Sequence, residues 1–545
     1  MCVRDLCSFP SAPRADASRA RQPPPFAEPC DFRSLATAHR GRLSKLRAIP
    51  GCPMPDPAEF PFPHRRLPLS RSKPRLRRAI ALSVLAAASW GWGAVPGARA
   101  ETINSALARA YDANPDLNQS RASVRARDED APKALAGMRP KASISASAGP
   151  EYGTITIPAG RNSTTGQRQF FSDQYVGAPR SAALNVSQPI FDGGRTASAV
   201  RQAESSVLSA RASLAQTEQA ILQSAAANYM NVLRDTAILD LRKSNVSVLE
   251  QQLRLTKDRF SVGEVTRTDV AQAEASLAQA RSDVYAAEGL LKISIASYRQ
   301  VVGVEPKRLE PAQSVEKLLP KSLNEAISLA LVENPAVVAA QHQADVAALG
   351  VKVAESALNP TLSFNAQVGP SYDSFFGLPG SHQFAAQATG QLNIPLYQGG
   401  SEYASIRQAK EQQGQARLSA DMQRDSVRVS VVSGFAQLDT AKASIVSNQA
   451  AVKAAEIALQ GVREEAKVGQ RTTLDVLNAQ LALLNARVNL VVAQRDRIVA
   501  SYAALAAIGR LSAQQLNLDV AQYDPSVHFD QVRQQWFGVD TPDGR

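Results

Sequence analysis

Few residues in this chain of 545 are of types and spacings that could carry covalent chemistry. All four cysteines, Cys2, Cys7, Cys30 and Cys52, precede residue 101. The remainder can therefore build no disulfide framework, cysteine-ligated zinc, thiol nucleophile or iron–sulfur cluster. Its imidazoles, His342, His382 and His528, are too scattered to suggest a metal site. No phosphate loop, metal cluster or nucleophile motif supports an enzyme, and no cofactor or metal is expected. What remains is electrostatic. Asp269 and Asp475 follow glycine turns at Gly263 and Gly469, and Arg471 stands beside the second turn. Taken alone, such carboxylates complement the positive end of a helix dipole, and Arg471 is a solvated cation. Any larger role depends on the elements that carry them.

Those elements begin after a break in composition. The net charge is +12, yet residues 1–100 hold 17 Lys and Arg against 6 Asp and Glu. The other 445 residues hold 44 basic and 43 acidic groups. A basic balance would point to nucleic acid or an anionic surface. Here it belongs to the leader, and no nucleic-acid partner is expected. Residues 1–70, rich in Pro and Arg and without periodicity, read as a disordered extension, with a start codon placed too far upstream. Residues 71–100 read as a signal peptide. Arg75, Arg77 and Arg78 form its basic region, 79–95 its apolar region, and Ala98-Arg99-Ala100 the cleavage site, so the mature chain starts at Glu101. The alternative, an N-terminal membrane anchor, is disfavoured by a short apolar run ending in small residues. No apolar run long enough for a helical membrane span is expected after residue 101.

The mature chain reads as a tandem repeat. NSALARAYDANP from Asn104 matches NEAISLALVENP from Asn324, a spacing of 220. Gly149-Pro150 and Tyr152 match Gly369-Pro370 and Tyr372 at the same spacing. Beyond that the spacing is 206: Pro189 against Pro395, Gly193-Gly194 against Gly399-Gly400, and Gly263 against Gly469. The first repeat is 101–303, a linker 304–321, the second repeat 322–510 and a C-terminal tail 511–545.

Each repeat opens with two helices (102–113 and 116–137; 322–333 and 336–357) joined at Asn-Pro. The period then changes from 3.6 to 2. Ala142, Ile144, Ala146 and Ala148 alternate with Ser143, Ser145, Ser147 and Gly149. This pattern predicts strands at about 141–152 and 180–190, then at about 361–372 and 383–396, each with one apolar and one polar face. Gly/Ser/Thr-rich loops are expected at 153–179 and 371–382. The Phe375-Phe376 pair in the second loop covers a mouth or packs the loop. Long helices follow at 194–262 and 400–468, with partners at 264–302 and 470–508. Arg195–Val262 holds neither Gly nor Pro, enough for about 100 Å of helix. Helices of this length imply coiled-coil packing.

Four amphipathic strands of about ten residues suit an outer-membrane layer, but cannot close a barrel, and open edges do not occur in lipid. Closure needs several chains. At this point SQPIFDGGR (187–195) and NIPLYQGGS (393–401) resemble the strand-to-helix signature of the TolC-like outer-membrane efflux proteins. VGEVTRTDVAQAEASL from Val262 and VGQRTTLDVLNAQLAL from Val468 resemble that family's periplasmic tip turns. The resemblance implies a mainly α fold with membrane β: a trimeric 12-stranded β-barrel, four strands per chain, continued by a long α-helical coiled-coil barrel. It implies a cell outer membrane location in a Gram-negative envelope, with the helical barrel in the periplasm. The implied partners are two further copies of the chain (a homotrimer), outer-membrane lipid, a periplasmic adaptor (membrane fusion) protein and an inner-membrane transporter of RND or ABC type. The implied function is an exit duct for drug efflux or type I protein secretion.

The resemblance also assigns the polar residues. Arg471 matches a position that pairs with Thr268 and Asp269 in a closed-state latch. Asp475 matches a carboxylate ring at the entrance, where three copies would bind or pass cations. The second acidic position is Asn478 here, and a latch tyrosine is Ala466, which implies a less negative entrance and a weaker latch. Pro189, Gly193, Gly194, Pro395, Gly399 and Gly400 read as strand-to-helix punctuation. Phe191, Phe364, Phe384 and Tyr397 read as lipid-facing or interfacial aromatics. A secreted coiled-coil structural or adhesin protein explains the helices and the signal peptide, but not the paired alternating strands. The cargo is not legible.

Overall fold

A computed structural model describes residues 101–373, 380–542 and 544. The expected leader, 1–100, and the Phe375-Phe376 pair lie outside the described residues. Helix α1 (Ile103–Ala113) begins where the Thr102 hydroxyl accepts from the Ser105 N–H. Asn114 ends α1 and caps α2 (Pro115–Asp128), its side-chain oxygen accepting from the Asp116 and Leu117 N–H groups. Pro115 occupies the first helical position, where a missing N–H is harmless. The single helix expected over 116–137 is broken: α3 (Asp130–Leu135) restarts after Glu129. The cause is Pro132, which offers no N–H to the carbonyl four residues back and crowds that turn.

Four strands follow: β1 (Lys141–Ala148), β2 (Glu151–Arg161), β3 (Arg168–Gly177) and β4 (Arg180–Phe191). The loop expected at 153–179 is therefore a hairpin, β2 against β3, in its own two-stranded sheet. Small polar residues disguised it. Ile155 and Ile157 alternate with Thr154 and Thr156, and Phe170, Phe171 and Tyr175 lie on the paired strand β3, all strand formers on a solvated ribbon. Pro150 and Pro179 interrupt the ladder between this hairpin and β1 and β4.

Helix α4 (Arg195–Ser261) is 67 residues long, about 100 Å at ~1.5 Å per residue. It turns into α5 (Arg267–Val302). The second half repeats this order without counterparts of α3 and of the β2–β3 hairpin: α6 (Leu323–Glu333), α7 (Pro335–Glu355), β5 (Thr361–Tyr372), β6 (His382–Asn393), α8 (Ser401–Lys467) and α9 (Thr473–Ile508). Helix α8 again has 67 residues and α9, like α5, has 36. Strand β6 ends at Asn393, short of the expected 396, because Pro395 cannot donate to a ladder.

The four-stranded antiparallel sheet has the order β1-β4-β5-β6, leaving β1 and β6 as edges. Its register sorts side chains into rows. Ile144, Leu184, Val368 and Ala386 lie opposite one another across the sheet, as do Ala142, Val186, Ala366 and Ala388. Between them run Ser143, Asn185, Gln367 and Gln387, then Lys141, Ser187, Asn365 and Thr389. Since side chains alternate faces, one face of this wall is apolar and the other is hydroxyl and amide. At both strand-to-helix junctions two successive glycines have positive φ, 69° and 85° at Gly193 and Gly194, 74° and 88° at Gly399 and Gly400. This left-handed pair swings the chain from strand direction into helix, a conformation costly for any residue with a Cβ.

The main core lies where α1, α2, α4, α5 and α9 meet the tail, around Leu107, Leu117, Leu222, Tyr229, Tyr298, Tyr502 and Leu511. The linker is pinned there by Glu316, which accepts from Arg497 (2.8 Å) and Lys442 (3.3 Å). The Arg497 hydrogen bond draws the Glu316 carboxyl down to about 2. The tail packs along the first helices and includes α10 (Ser526–Val532). One expectation needs correcting: α9 does contain an apolar window long enough to cross a membrane, with mean hydropathy 1.4. Three of its apolar residues are buried against neighbouring helices. Val476 and Leu483 meet Leu459 of α8, and Leu477 meets Leu249 and Leu277 of α4 and α5.

Candidate functional site at the helix tips

Both long hairpins reverse at a glycine in the left-handed region, Gly263 (φ 84°) and Gly469 (φ 80°). The Glu264 N–H donates to the Arg259 carbonyl and the Gln470 N–H to the Glu465 carbonyl, closing each helix end. The next helix starts three residues on in the same way at both tips. Thr266 caps α5 and Thr472 caps α9. The Asp269 carboxylate accepts from the Thr266 N–H (2.9 Å) and hydroxyl (2.7 Å), while the Thr266 hydroxyl accepts from the Asp269 N–H. Asp475 and Thr472 repeat this box at 3.0, 2.9 and 3.3 Å. Each box satisfies orphan donors of the first helical turn. The backbone N–H and hydroxyl of Thr472, aided by Arg471, hold the Asp475 carboxyl below its usual range.

Arg471 is half exposed, and its Nε donates to Glu465 at 2.8 Å, across its own turn. No hydrogen bond or ion pair joins Arg471 to Thr268 or Asp269 within the chain, among the described residues. Thr268 is an exposed residue in the first turn of α5, and Asn478 is exposed one turn beyond Asp475. Ala466 packs beside Leu459, Val476 and Leu483. Leu477 in the Leu249, Leu277 and Ala280 cluster brings α9 beside the first hairpin. The tips thus carry two ordered carboxylates and a cation in water, a device for charge rather than bond-making. No group of three or more metal-ligating side chains occurs among the described residues.

Sequence reasoning missed the caps Thr266 and Thr472. The Thr-x-x-Asp spacing at both tips was the available signal. It also missed Glu465, whose position six residues before Arg471 matches no local rule.

The comparisons complete this geometry. A family model described as outer membrane efflux protein matches residues 106–304 and 326–510. Outer membrane efflux protein BepC of Brucella suis is 41% identical over 448 residues, covering 82% of this chain and 94% of BepC. Outer membrane protein TolC of Escherichia coli is 26% identical, covering 62% of this chain and 70% of TolC. The solved outer membrane protein VceC of Vibrio cholerae superposes with a TM-score of 0.61 at 20% identity, over 75% of this chain and 96% of VceC. That last likeness speaks to the fold. The two matched segments carry the two helical hairpins and every tip residue described above, and with them the chain belongs to the outer membrane efflux protein family.

Proposed function

We propose that three copies of this chain form an exit duct through the outer membrane. Signal cleavage after Ala100 precedes assembly, and the two halves of the mature chain descend from one duplicated unit. The observation that carries this reading is the wall β1-β4-β5-β6, with one apolar and one polar face and two unpaired edges. Lipid tolerates no open edge, so β1 of one copy pairs with β6 of the next until twelve strands close. The polar rows then face water in the lumen and the apolar rows face lipid. Below, the 67-residue helices continue the wall as a helical barrel in the periplasm. An adaptor and an inner-membrane transporter of RND or ABC type deliver cargo at its lower end, in drug efflux or type I secretion. Heat-modifiable trimers in the outer-membrane fraction are the expected result. A monomeric, soluble mature protein in the periplasm would sink the proposal.

The tips act as the gate. Within one chain Arg471 engages Glu465, so a latch from Arg471 to Thr268 and Asp269 forms between neighbouring protomers of the closed trimer. Arg471→Ser combined with Thr268→Val should raise single-channel conductance in planar bilayers several-fold. Conductance equal to the parent's removes the latch from the mechanism.

Asp475 supplies the entrance ring. Asp475→Ala should weaken block by polyvalent cations added on the helical side. Thr472 lowers each Asp475 carboxyl within its own chain, while repulsion among three converging carboxylates acts in the opposite direction. Protonating the ring removes its charge, so block by the parent channel should weaken as the pH falls through the carboxylate range. Block that is unchanged in Asp475→Ala would place the constriction elsewhere.

A further inference from the structure

The tail follows a directed course. Leu511, Ala513 and Leu518 are buried in the main core. The Tyr523 N–H donates to the Tyr111 hydroxyl at 3.1 Å, and the Arg121 guanidinium lies over both rings at 4.5 and 5.3 Å. His528 Nδ1 meets the fully buried Asp128 carboxylate at 2.9 Å. Arg533 pairs with Glu204 at 2.7 Å. Arg139 then donates to the Gln535 carbonyl at 2.8 Å and stacks on the Trp536 ring at 4.6 Å. As the tail advances through 523, 528 and 535, its partners advance through Tyr111, Asp128 and Arg139. The course ends two residues before β1, at the foot of the wall.

There the tail turns apolar and open. Trp536 is 58% exposed, Phe537 87% and Val539 97%. The same end of the wall exposes Phe191, the last residue of β4, and Ile394, Leu396 and Tyr397, just after β6. Arg139 lies beside this rim. Aromatic rings and basic groups at the end of an apolar wall match a bilayer interface, with rings among the glycerol groups and cations near phosphates. Asp540 follows at once and sets a shallow depth.

We propose that the C-terminal tail is a membrane-surface anchor, with Trp536, Phe537 and Val539 seated in the periplasmic-leaflet phospholipid beside the barrel rim. This rests on the outer-membrane wall reading above, whose lipid face the anchor continues. The helix contacts hold the tail in place, and the lipid contact fixes the height of the wall in the bilayer.

The chain supplies its own probe. Its tryptophans are Trp90, Trp92 and Trp536, so a mature protein starting at Glu101 keeps one. The mature protein, purified from the outer membrane, is reconstituted into phosphatidylethanolamine and phosphatidylglycerol vesicles. The lipids carry bromine either near the glycerol end or near the chain terminus. Trp536 emission should lose more intensity to the shallow bromine than to the deep one. An Ile144→Trp, Trp536→Phe protein reports the wall by the same measurement. Quenching of the Ile144→Trp probe with none at Trp536 overturns the anchor and leaves the wall intact. No quenching at either position overturns both. Blue-shifted Trp536 emission without lipid quenching places the ring against protein, a neighbouring protomer or an adaptor, and likewise overturns the anchor.

Discussion

Ile144→Arg is expected to abolish stable insertion into the outer membrane, while Ser143→Arg, one residue earlier, is expected to assemble. The two positions are neighbours in β1 and point to opposite faces. Ile144 is 80% exposed in the isolated chain and heads the row that runs through Leu184 and Val368. An arginine on the lipid face of a barrel costs about 2–4 kcal/mol near the midplane. Three copies bring that to about 6–12 kcal/mol per trimer, comparable with the whole stability of an ordinary domain. Ser143 shares its row with Asn185, Gln367 and Gln387, the polar face, where an added guanidinium should stay hydrated in the lumen of the proposed barrel. The measurement is the amount of heat-modifiable trimer in the outer-membrane fraction. Equal yields from the two variants would show that the wall has no lipid face.

This contrast also shows which parts of the fold the sequence discloses. Alternation in 141–148 and 361–372 was legible because one face is uniformly apolar and the other uniformly polar. The β2–β3 hairpin was not, because Gly153, Pro158, Gly160 and Gly166 and the many Thr and Ser residues of the segment carry a loop's composition. Helix α4 was legible from the absence of Gly and Pro, and α8, which is free of Pro but holds Gly414, Gly434 and Gly461, from its match to α4 in the repeat. The break at Glu129 turns on one proline, Pro132, in a segment otherwise good for helix. The apolar stretch of α9 was passed over because Asn478, Asn485, Arg487 and Asn489 interrupt it, yet helices that pack on several neighbours tolerate such mixtures.

At the tips, the carboxylates Asp269 and Asp475 stood out through position after a turn. Their threonine partners follow from a spacing rule. The Arg471–Glu465 pair requires the turn geometry itself, since only the closure at Gly469 brings those two residues together. A contact between copies in the proposed trimer leaves no trace in any one chain's local pattern, and within the chain Arg471 is held by Glu465. The tail was least legible. Its contacts with Tyr111, Asp128 and Arg139 span roughly 400 residues of sequence, and no periodicity reports them.

A large loss of stability from a single buried side chain is expected at Tyr298. It is fully buried, its ring lies 6.4 Å from that of Tyr229, and its hydroxyl donates to the Glu101 carboxylate at 2.9 Å. Glu101 also accepts from Arg109 at 2.8 Å, while its backbone N–H donates to the Arg308 carbonyl at 2.7 Å. Its own carbonyl accepts from the Glu310 N–H at 3.0 Å. Tyr298 therefore joins α5 to Glu101 and, through Glu101, to Arg308 and Glu310 in the segment between α5 and α6. Tyr298→Ala removes a packed ring and should destabilise each protomer by about 3–5 kcal/mol. Tyr298→Phe keeps the ring but leaves a buried carboxylate one donor short, which should cost about 1.5–3 kcal/mol. Thermal dissociation of purified trimers should follow the order parent, Tyr298→Phe, Tyr298→Ala. Combining Tyr298→Phe with Glu101→Gln should then cost less than the sum of the two, because both changes act on one hydrogen bond. Strict additivity, or a Tyr298→Phe trimer as stable as the parent, would mean that packing alone holds this junction and that Glu101 is a bystander.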